Sequence, residues 1–252
     1  VALFLLVALS LLGDFFQKRQ AQNKVEDLAE NAITIKDVND ESPIAPPDLD
    51  DAKVQEEEEI TLDFDALRQL NPDIIGWILV PGTNINYPIL QSPEELDTDY
   101  YLNTNLDGSQ GYPGSIYIQK RNSPDFTDPL TVVYGHNMKN GSMFATLHNY
   151  EDETFFQENP YIYVYTEKEN AVYEVFAAVW FDNRLILDYY DDFLDKEDLT
   201  DFLNLLKDYP GIWNDEISIS EEEDTLIGLS TCIPQRPNER FYVFGRKLSK
   251  EE

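Results

Sequence analysis

The chain has 252 residues, with 18 Lys and Arg against 49 Asp and Glu for a formal net charge of −31, two histidines and one cysteine. One cysteine excludes an intramolecular disulfide framework and, with only two histidines, a Cys₄ or Cys₂His₂ zinc site. Such acidity also excludes tracking along a phosphate backbone, so no nucleic-acid partner is expected, while 3 Trp, 15 Tyr and 14 Phe in a 42% hydrophobic chain demand a packed core.

The first element is an apolar run, VALFLLVALSLLG, at residues 1–13. It is shorter than the ~20 residues that cross a bilayer, and no A-x-A-like cleavage site follows it. Residues 1–16 are therefore expected to be a truncated N-terminal membrane anchor or signal segment, the uncleaved anchor being preferred. The rest of the chain has no second hydrophobic span, so its body is expected on the extracellular face of a single-pass anchor. Residues 17–59 read as a juxtamembrane helix followed by an acidic, proline-containing linker, with nine acidic residues and one lysine between positions 40 and 59. That composition buries too little apolar surface to offset its ordering entropy.

The body is expected over residues 60–252. Leu62, Phe64, Leu67 and Leu70 stand at helical spacing before Asn71-Pro72, which predicts a short helix. Eight strand signals follow, at residues 74–80, 85–90, 115–119, 131–135, 161–166, 171–181, 225–231 and 240–247, most bounded by Gly, Pro, Asn or Asp. Pro88 marks an edge or a bulge in the second of them. A single mainly β (α+β) domain, barrel or sandwich, accommodates this pattern. Residues 195–209 interrupt it, placing Leu199, Phe202, Leu203 and Leu206 on one face before Pro210-Gly211, so an amphipathic helix is inserted between two strands.

Cys232 ends an apolar strand, TLIGLSTC, and opens a loop containing Pro234 and Pro237. A strand terminus at a proline-bounded loop holds a side chain rigid yet accessible. His136 follows the strand TVVYG and begins a loop with an Asn140-Gly141 turn, whereas His148 lies in SMFATLHNY and reads as a structural or surface group. Arg240 opens the strand after the Cys232 loop. If those two strands pair antiparallel, Cys232 and Arg240 flank one hairpin mouth. A thiol nucleophile, a proton-transferring imidazole and a permanently charged guanidinium together suit acyl transfer through a thioester. No Gly-rich phosphate loop or nucleotide fingerprint offers another chemistry. On the residues alone two rivals stay open, a hydrolytic cysteine peptidase with a different third group and an acidic adhesin or binding module with a buried Cys232. The acidic cluster at Asp215, Glu216 and residues 221–224 matches no EF-hand loop and reads as solvated charge, so no metal is expected. Arg236, Arg240, Arg246 and Lys247 read as a locally basic patch around the mouth.

These motifs carry a resemblance. TLIGLSTCIPQRPNERFYVFGRK is similar to the sortase signature, in which the active-site cysteine ends one strand and an arginine opens the next, and VVYGHNMKNGSMFATL is similar to the histidine motif of class B sortases. GWILVPGTNINYPILQ, DYYLN and GSIYIQKRN extend the likeness over nearly all of residues 60–248. It implies a closed eight-stranded β-barrel with an N-terminal helix, the insertion near 195–209 being an extra helix of class B. It also implies Cys232 as nucleophile, His136 as general acid/base, Arg240 as oxyanion and substrate-positioning group, and Ser230 and Thr231 lining the substrate pocket. The implied partners are exported proteins bearing a C-terminal sorting motif, cleaved after Thr, and a peptidoglycan cross-bridge, lipid-linked precursor or pilin amine, with no organic cofactor.

Overall fold

The computed structural model describes residues 33–35, 60–182, 196–220 and 223–249. The expected anchor at 1–16 lies outside them, as does most of the 17–59 segment. Three residues of that segment, β1 (Ile33–Ile35), pair antiparallel with β2 (Ile60–Leu62). Helix α1 (Phe64–Leu70) starts where Asp63 caps it, its carboxylate accepting from the Ala66 N–H, and buries Phe64 and Leu67. Of the four residues at helical spacing, Leu62 belongs to β2 and Leu70 is 52% exposed.

All eight expected strands form: β3 (Ile74–Val80), β4 (Ile85–Gln91), β5 (Ile116–Ile118), β6 (Leu130–Tyr134), β7 (Tyr161–Tyr165), β8 (Asn170–Asp182), then β10 (Leu226–Cys232) and β11 (Glu239–Lys247). Between the last two and β8 comes a short strand the sequence did not announce, β9 (Gly211–Trp213), which adds to β8 where Pro210-Gly211 reads as a helix stop. The strand order is β11-β10-β6-β5-β4-β3-β7-β8, and β11 pairs back onto β8, which closes an eight-stranded barrel and leaves β9 outside the ring. Closure removes the unpaired edges that an open sheet would expose. The register irregularity expected near Pro88 falls on the partner strand, between Ile74 and Gly76, while Pro88 itself stands one residue before the β4–β5 ladder begins at Ile89↔Ile116.

Because alternate residues of a strand face opposite ways, the barrel has two apolar faces. One set, including Ile78, Ile89, Ile118, Val133, Val164, Tyr173, Leu229 and Val243, converges from all eight strands and fills the inside. The other set, including Trp77, Val132, Phe176, Tyr242 and Phe244, faces outward and is covered by α1 and by α3 (Lys196–Leu206), the short α2 (Glu153–Glu158) coming between them in the chain just before β7. The predicted stripe on α3 is the buried one: Leu199, Phe202, Leu203 and Leu206. Phe202 meets Phe181 and Phe244 with ring centroids 6.0 Å apart in each pair. At roughly 1.5–3 kcal/mol for each large apolar side chain fully buried, this stripe is enough to fix the helix against the outer wall.

Candidate active site

The site is built at one rim of the barrel by strand register. β10 pairs antiparallel with β11, Ser230 opposite Tyr242 and Cys232 opposite Arg240. Residues two apart share a face, so Ser230, Cys232, Arg240 and Tyr242 all lie on the outer wall. The partly exposed Cys232 thiol is thereby placed beside the guanidinium, and Arg240 Nη1 donates to Cys232 Sγ at 2.7 Å.

His136 reaches the same rim because β6 runs parallel to β10, with Tyr134 opposite Ser230. The residue before it is tied to β10 on both sides. Gly135 N–H donates to the Ser230 carbonyl at 3.1 Å, and the Thr231 hydroxyl donates to the Gly135 carbonyl at 2.9 Å. Only glycine fits there, since a Cβ would stand 2.5 Å from Ile116 Cδ1 and 2.7 Å from Phe144 Cγ. The His136 ring then points Nε2 at the Leu102 carbonyl, 2.8 Å away. A carbonyl only accepts, so this bond assigns the proton to Nε2 and leaves Nδ1 of the neutral ring with a lone pair. Tyr112, half exposed, lies against the imidazole with centroids 4.9 Å apart. Burial lowers the His136 pKa, the Leu102 bond opposes that, and the positive charge of Arg240 adds to the lowering. The neutral form, the one that can accept a proton, is favoured.

The outer wall beneath these groups is aromatic. Tyr117 stacks on Tyr134 at 5.5 Å, and its hydroxyl donates to Asp99, as does the Gln119 amide. Burial, reinforced by Asp99, pushes the Tyr117 phenol far up. Tyr242 is raised to about 12 by burial. Both hydroxyls stay protonated near neutrality and act as hydrogen-bonding walls.

The residues expected to line the pocket, Ser230 and Thr231, are 2% and 1% exposed. Thr231 spends its hydroxyl on Gly135, joining the strand that carries the thiol to the residue that precedes the imidazole. Three features of the site were not singled out by sequence reasoning. The Leu102 carbonyl, in the DYYLN segment, orients His136. Asn137 Nδ2 donates to the Cys232 carbonyl at 2.9 Å. His148, read as a structural or surface group, is the former: its Nε2 lies 3.0 Å from that same carbonyl. Adjacency to His136 was the available signal for Asn137; His148 carried none, because its partner is 84 positions away. An open groove beside these groups is lined by His148, Glu151, Trp180, Pro234 and Arg236. Among the described residues, no three His, Cys, Asp or Glu side chains converge as a metal ligand set. The expected basic patch is split. Arg246 bonds Glu174 at 3.3 Å and Lys247 bonds Glu169, both at the opposite end of β11 from Arg240.

A closed barrel with cysteine, histidine and arginine from three neighbouring chain segments at one rim defines a sortase-like site. The Sortase domain pattern matches residues 78–248, and the chain belongs to the sortase family. Its likeness is to class B. It is 35% identical over 189 residues to sortase B of Listeria monocytogenes, covering 73% of each chain. Sortase B of Clostridium perfringens superposes with a TM-score of 0.64 at 30% identity, covering 74% of this chain and all of that one. A Staphylococcus aureus sortase B–substrate complex superposes at 0.65 with 27% identity, covering 74% and 85%.

Proposed function

We propose that this chain is a membrane-anchored cysteine transpeptidase that joins exported proteins to a cell-surface amine. Membership of a family of cysteine transpeptidases supports the reaction class, and the observation that carries the assignment of roles is the 2.7 Å contact between Arg240 and Cys232 Sγ. The thiolate, the reactive form of cysteine, attacks the carbonyl carbon of the threonine in a C-terminal sorting motif. Electrons move onto the carbonyl oxygen, and Arg240, already within reach of the sulfur, supplies the cationic N–H groups that stabilise the oxyanion. Collapse breaks the peptide bond, and His136, whose Nδ1 lone pair took the thiol proton as the thiolate formed, returns that proton from Nδ1 to the leaving amine. The thioester is resolved when an amine of a peptidoglycan cross-bridge, its lipid-linked precursor or a pilin attacks, with His136 taking up the proton released. That a class B relative has been captured with a substrate supports peptide recognition at this rim.

Membrane attachment rests on the apolar run at residues 1–13, which lies outside the described residues. Among the described residues, no helix is long and apolar enough to cross a membrane. The proposal places the catalytic body outside the cell, where both its substrates are found. Ser230, on the same face as Cys232, borders the substrate beside the thiol, whereas Thr231 faces the other way and acts through its hydrogen bond to the Gly135 carbonyl.

Incubation with a sorting-motif peptide library followed by acid quench and intact-mass analysis tests the reading. Wild type should gain the mass of an acyl group ending in threonine, and Cys232→Ala should gain none and lose essentially all cleavage. Cleavage by Cys232→Ala at the wild-type rate would refute the mechanism. For attachment, the full chain should sediment with membranes and be digested by protease added to intact protoplasts.

A further inference from the structure

The backbone of Cys232 poses a hydrogen-bonding problem that the sheet does not solve. On the side facing β6, the β10 ladder has its last rung at the Ser230 carbonyl, which accepts from Gly135 N–H. Two residues on, the Cys232 carbonyl points the same way, and a continued parallel ladder would offer it the backbone N–H of residue 137. The chain has already turned away. After His136 it forms a small loop closed by the bridge Asn137↔Met143 and by Phe144 N–H donating to the His136 carbonyl. The orphaned oxygen is instead taken by two side chains of that excursion, Asn137 Nδ2 at 2.9 Å and His148 Nε2 at 3.0 Å.

His148 is itself held. Its Nδ1 lies 2.6 Å from Glu151 Oε1, and its ring stacks on buried Phe241, one residue from Arg240, with centroids 5.1 Å apart and planes 18° from parallel. A carbonyl only accepts, so the bond to Cys232 puts a proton on Nε2. The ring is thus fixed in plane by Phe241 and in rotation by Glu151, with its Nε2–H aimed at one atom.

We propose that His148 is a positioning residue for the nucleophile, acting with Asn137 as a side-chain clamp that replaces the missing strand at the Cys232 carbonyl. One excursion, residues 136–148, then presents the imidazole that transfers the proton and grips the backbone of the residue that attacks, so base and nucleophile keep a common frame as β10 gives way to its loop. The catalytic consequence rests on the transpeptidase reading above; the clamp does not. A misplacement of about 1 Å at a reacting atom costs up to ~10²-fold in rate. Removing one of two clamping donors should therefore slow acylation about tenfold without weakening peptide binding.

The single cysteine makes the test site-specific, because [1-¹³C]cysteine labels one backbone carbonyl in the whole chain. In His148→Ala that resonance should move upfield as the oxygen loses a donor, and His148→Gln, whose amide N–H has similar reach, should return it most of the way. Single-turnover acylation with a sorting-motif peptide should fall about tenfold in His148→Ala with KM within about twofold, and recover to within about threefold in His148→Gln. Melting curves establish that each variant is folded at the assay temperature. An unmoved carbonyl resonance in folded His148→Ala overturns the clamp. Equal impairment of the Ala and Gln variants, or a shifted resonance with unchanged acylation, overturns the positioning role. A wild type that shows the resonance behaviour but forms no thioester with any peptide sinks the transpeptidase reading and leaves the clamp standing.

Discussion

The two ends of the β10–β11 hairpin use the same residue types differently. At the far end, Arg246 and Lys247 close on Glu174 and Glu169 of β8 and the turn before it, the default fate of a cation in a chain with 49 carboxylates. Six positions along the strand, about 20 Å at the usual rise, Arg240 has a sulfur as its hydrogen-bond partner. Register accounts for the difference. Arg246 stands opposite Glu174 on β8, whereas Arg240 stands between Cys232 on one neighbour and Phe181 on the other. The nearby loop cation, Arg236, pairs instead with Glu239 at 3.1 Å. An arginine flanked by a thiol and an aromatic, inside so acidic a protein, is the group to which we assign the oxyanion role, and its partners distinguish that end of the hairpin from the end closed by ion pairs.

The sharpest way to break that separation is to truncate Arg240. Arg240→Ala should lower kcat/KM for a sorting-motif peptide by about 10²–10³, the usual cost of losing an oxyanion donor. Arg240→Lys should recover only part of this, because a single ammonium cannot reproduce the planar fork that serves sulfur and oxyanion together. A loss under tenfold in Arg240→Ala would favour the hydrolytic peptidase with a different third group, and the hairpin's two ends would cease to differ in kind.

Much of this was legible beforehand, for identifiable reasons. The eight barrel strands announce themselves because each is an apolar or alternating run bounded by turn formers, and α3 because Leu199, Phe202, Leu203 and Leu206 keep a helical period. Cys232, His136 and Arg240 stood out through strand-end positions and family motifs, and antiparallel pairing of Cys232 with Arg240 follows from a short hairpin loop. β9 was missed because three residues, Gly-Ile-Trp, carry no alternation long enough to read. The clamp was missed because His148 meets Cys232 through a backbone atom, and backbone partners leave no mark on residue type. The basic patch was misjudged by counting cations along the sequence. A strand of nine residues carries its ends to opposite rims, so Arg246 and Lys247 cannot attend the thiol.

A smaller effect sharpens the electrical side of the comparison. His136 is held below the ordinary histidine value first by burial and then by Arg240, against the Leu102 hydrogen bond. In Arg240→Ala the titration midpoint of His136, followed by its ring proton resonances, should therefore rise, while Lys247→Ala should leave it in place. The sign for stability follows the same depression. Favouring neutral His136 stabilises the fold above the unfolded-state value of about 6.5, and that contribution is lost as pH falls through the folded-state value. Low pH should thus lower the melting temperature of wild type more than that of His136→Gln. A midpoint that fails to rise without Arg240 would mean the guanidinium charge is not felt at the imidazole.

The smallest effect belongs to the structural end. Lys247 and Glu169 are each about a quarter exposed, so water screens much of their attraction and the pair contributes at most ~1 kcal/mol. The strand does not depend on it, since the Lys247 backbone N–H is separately bonded to the Thr225 carbonyl. Lys247→Ala should consequently lower the melting temperature by no more than about 2–4 °C, and raising the salt concentration toward 1 M should shrink the gap from wild type. Acylation should stay within about twofold, because Lys247 lies at the opposite end of β11 from Arg240. If Lys247→Ala instead slowed acylation as strongly as a change at the mouth, strain would be passing along β11 from one rim to the other, and the rigid barrel wall that holds thiol and guanidinium in register would have to be replaced by a strand free to slide.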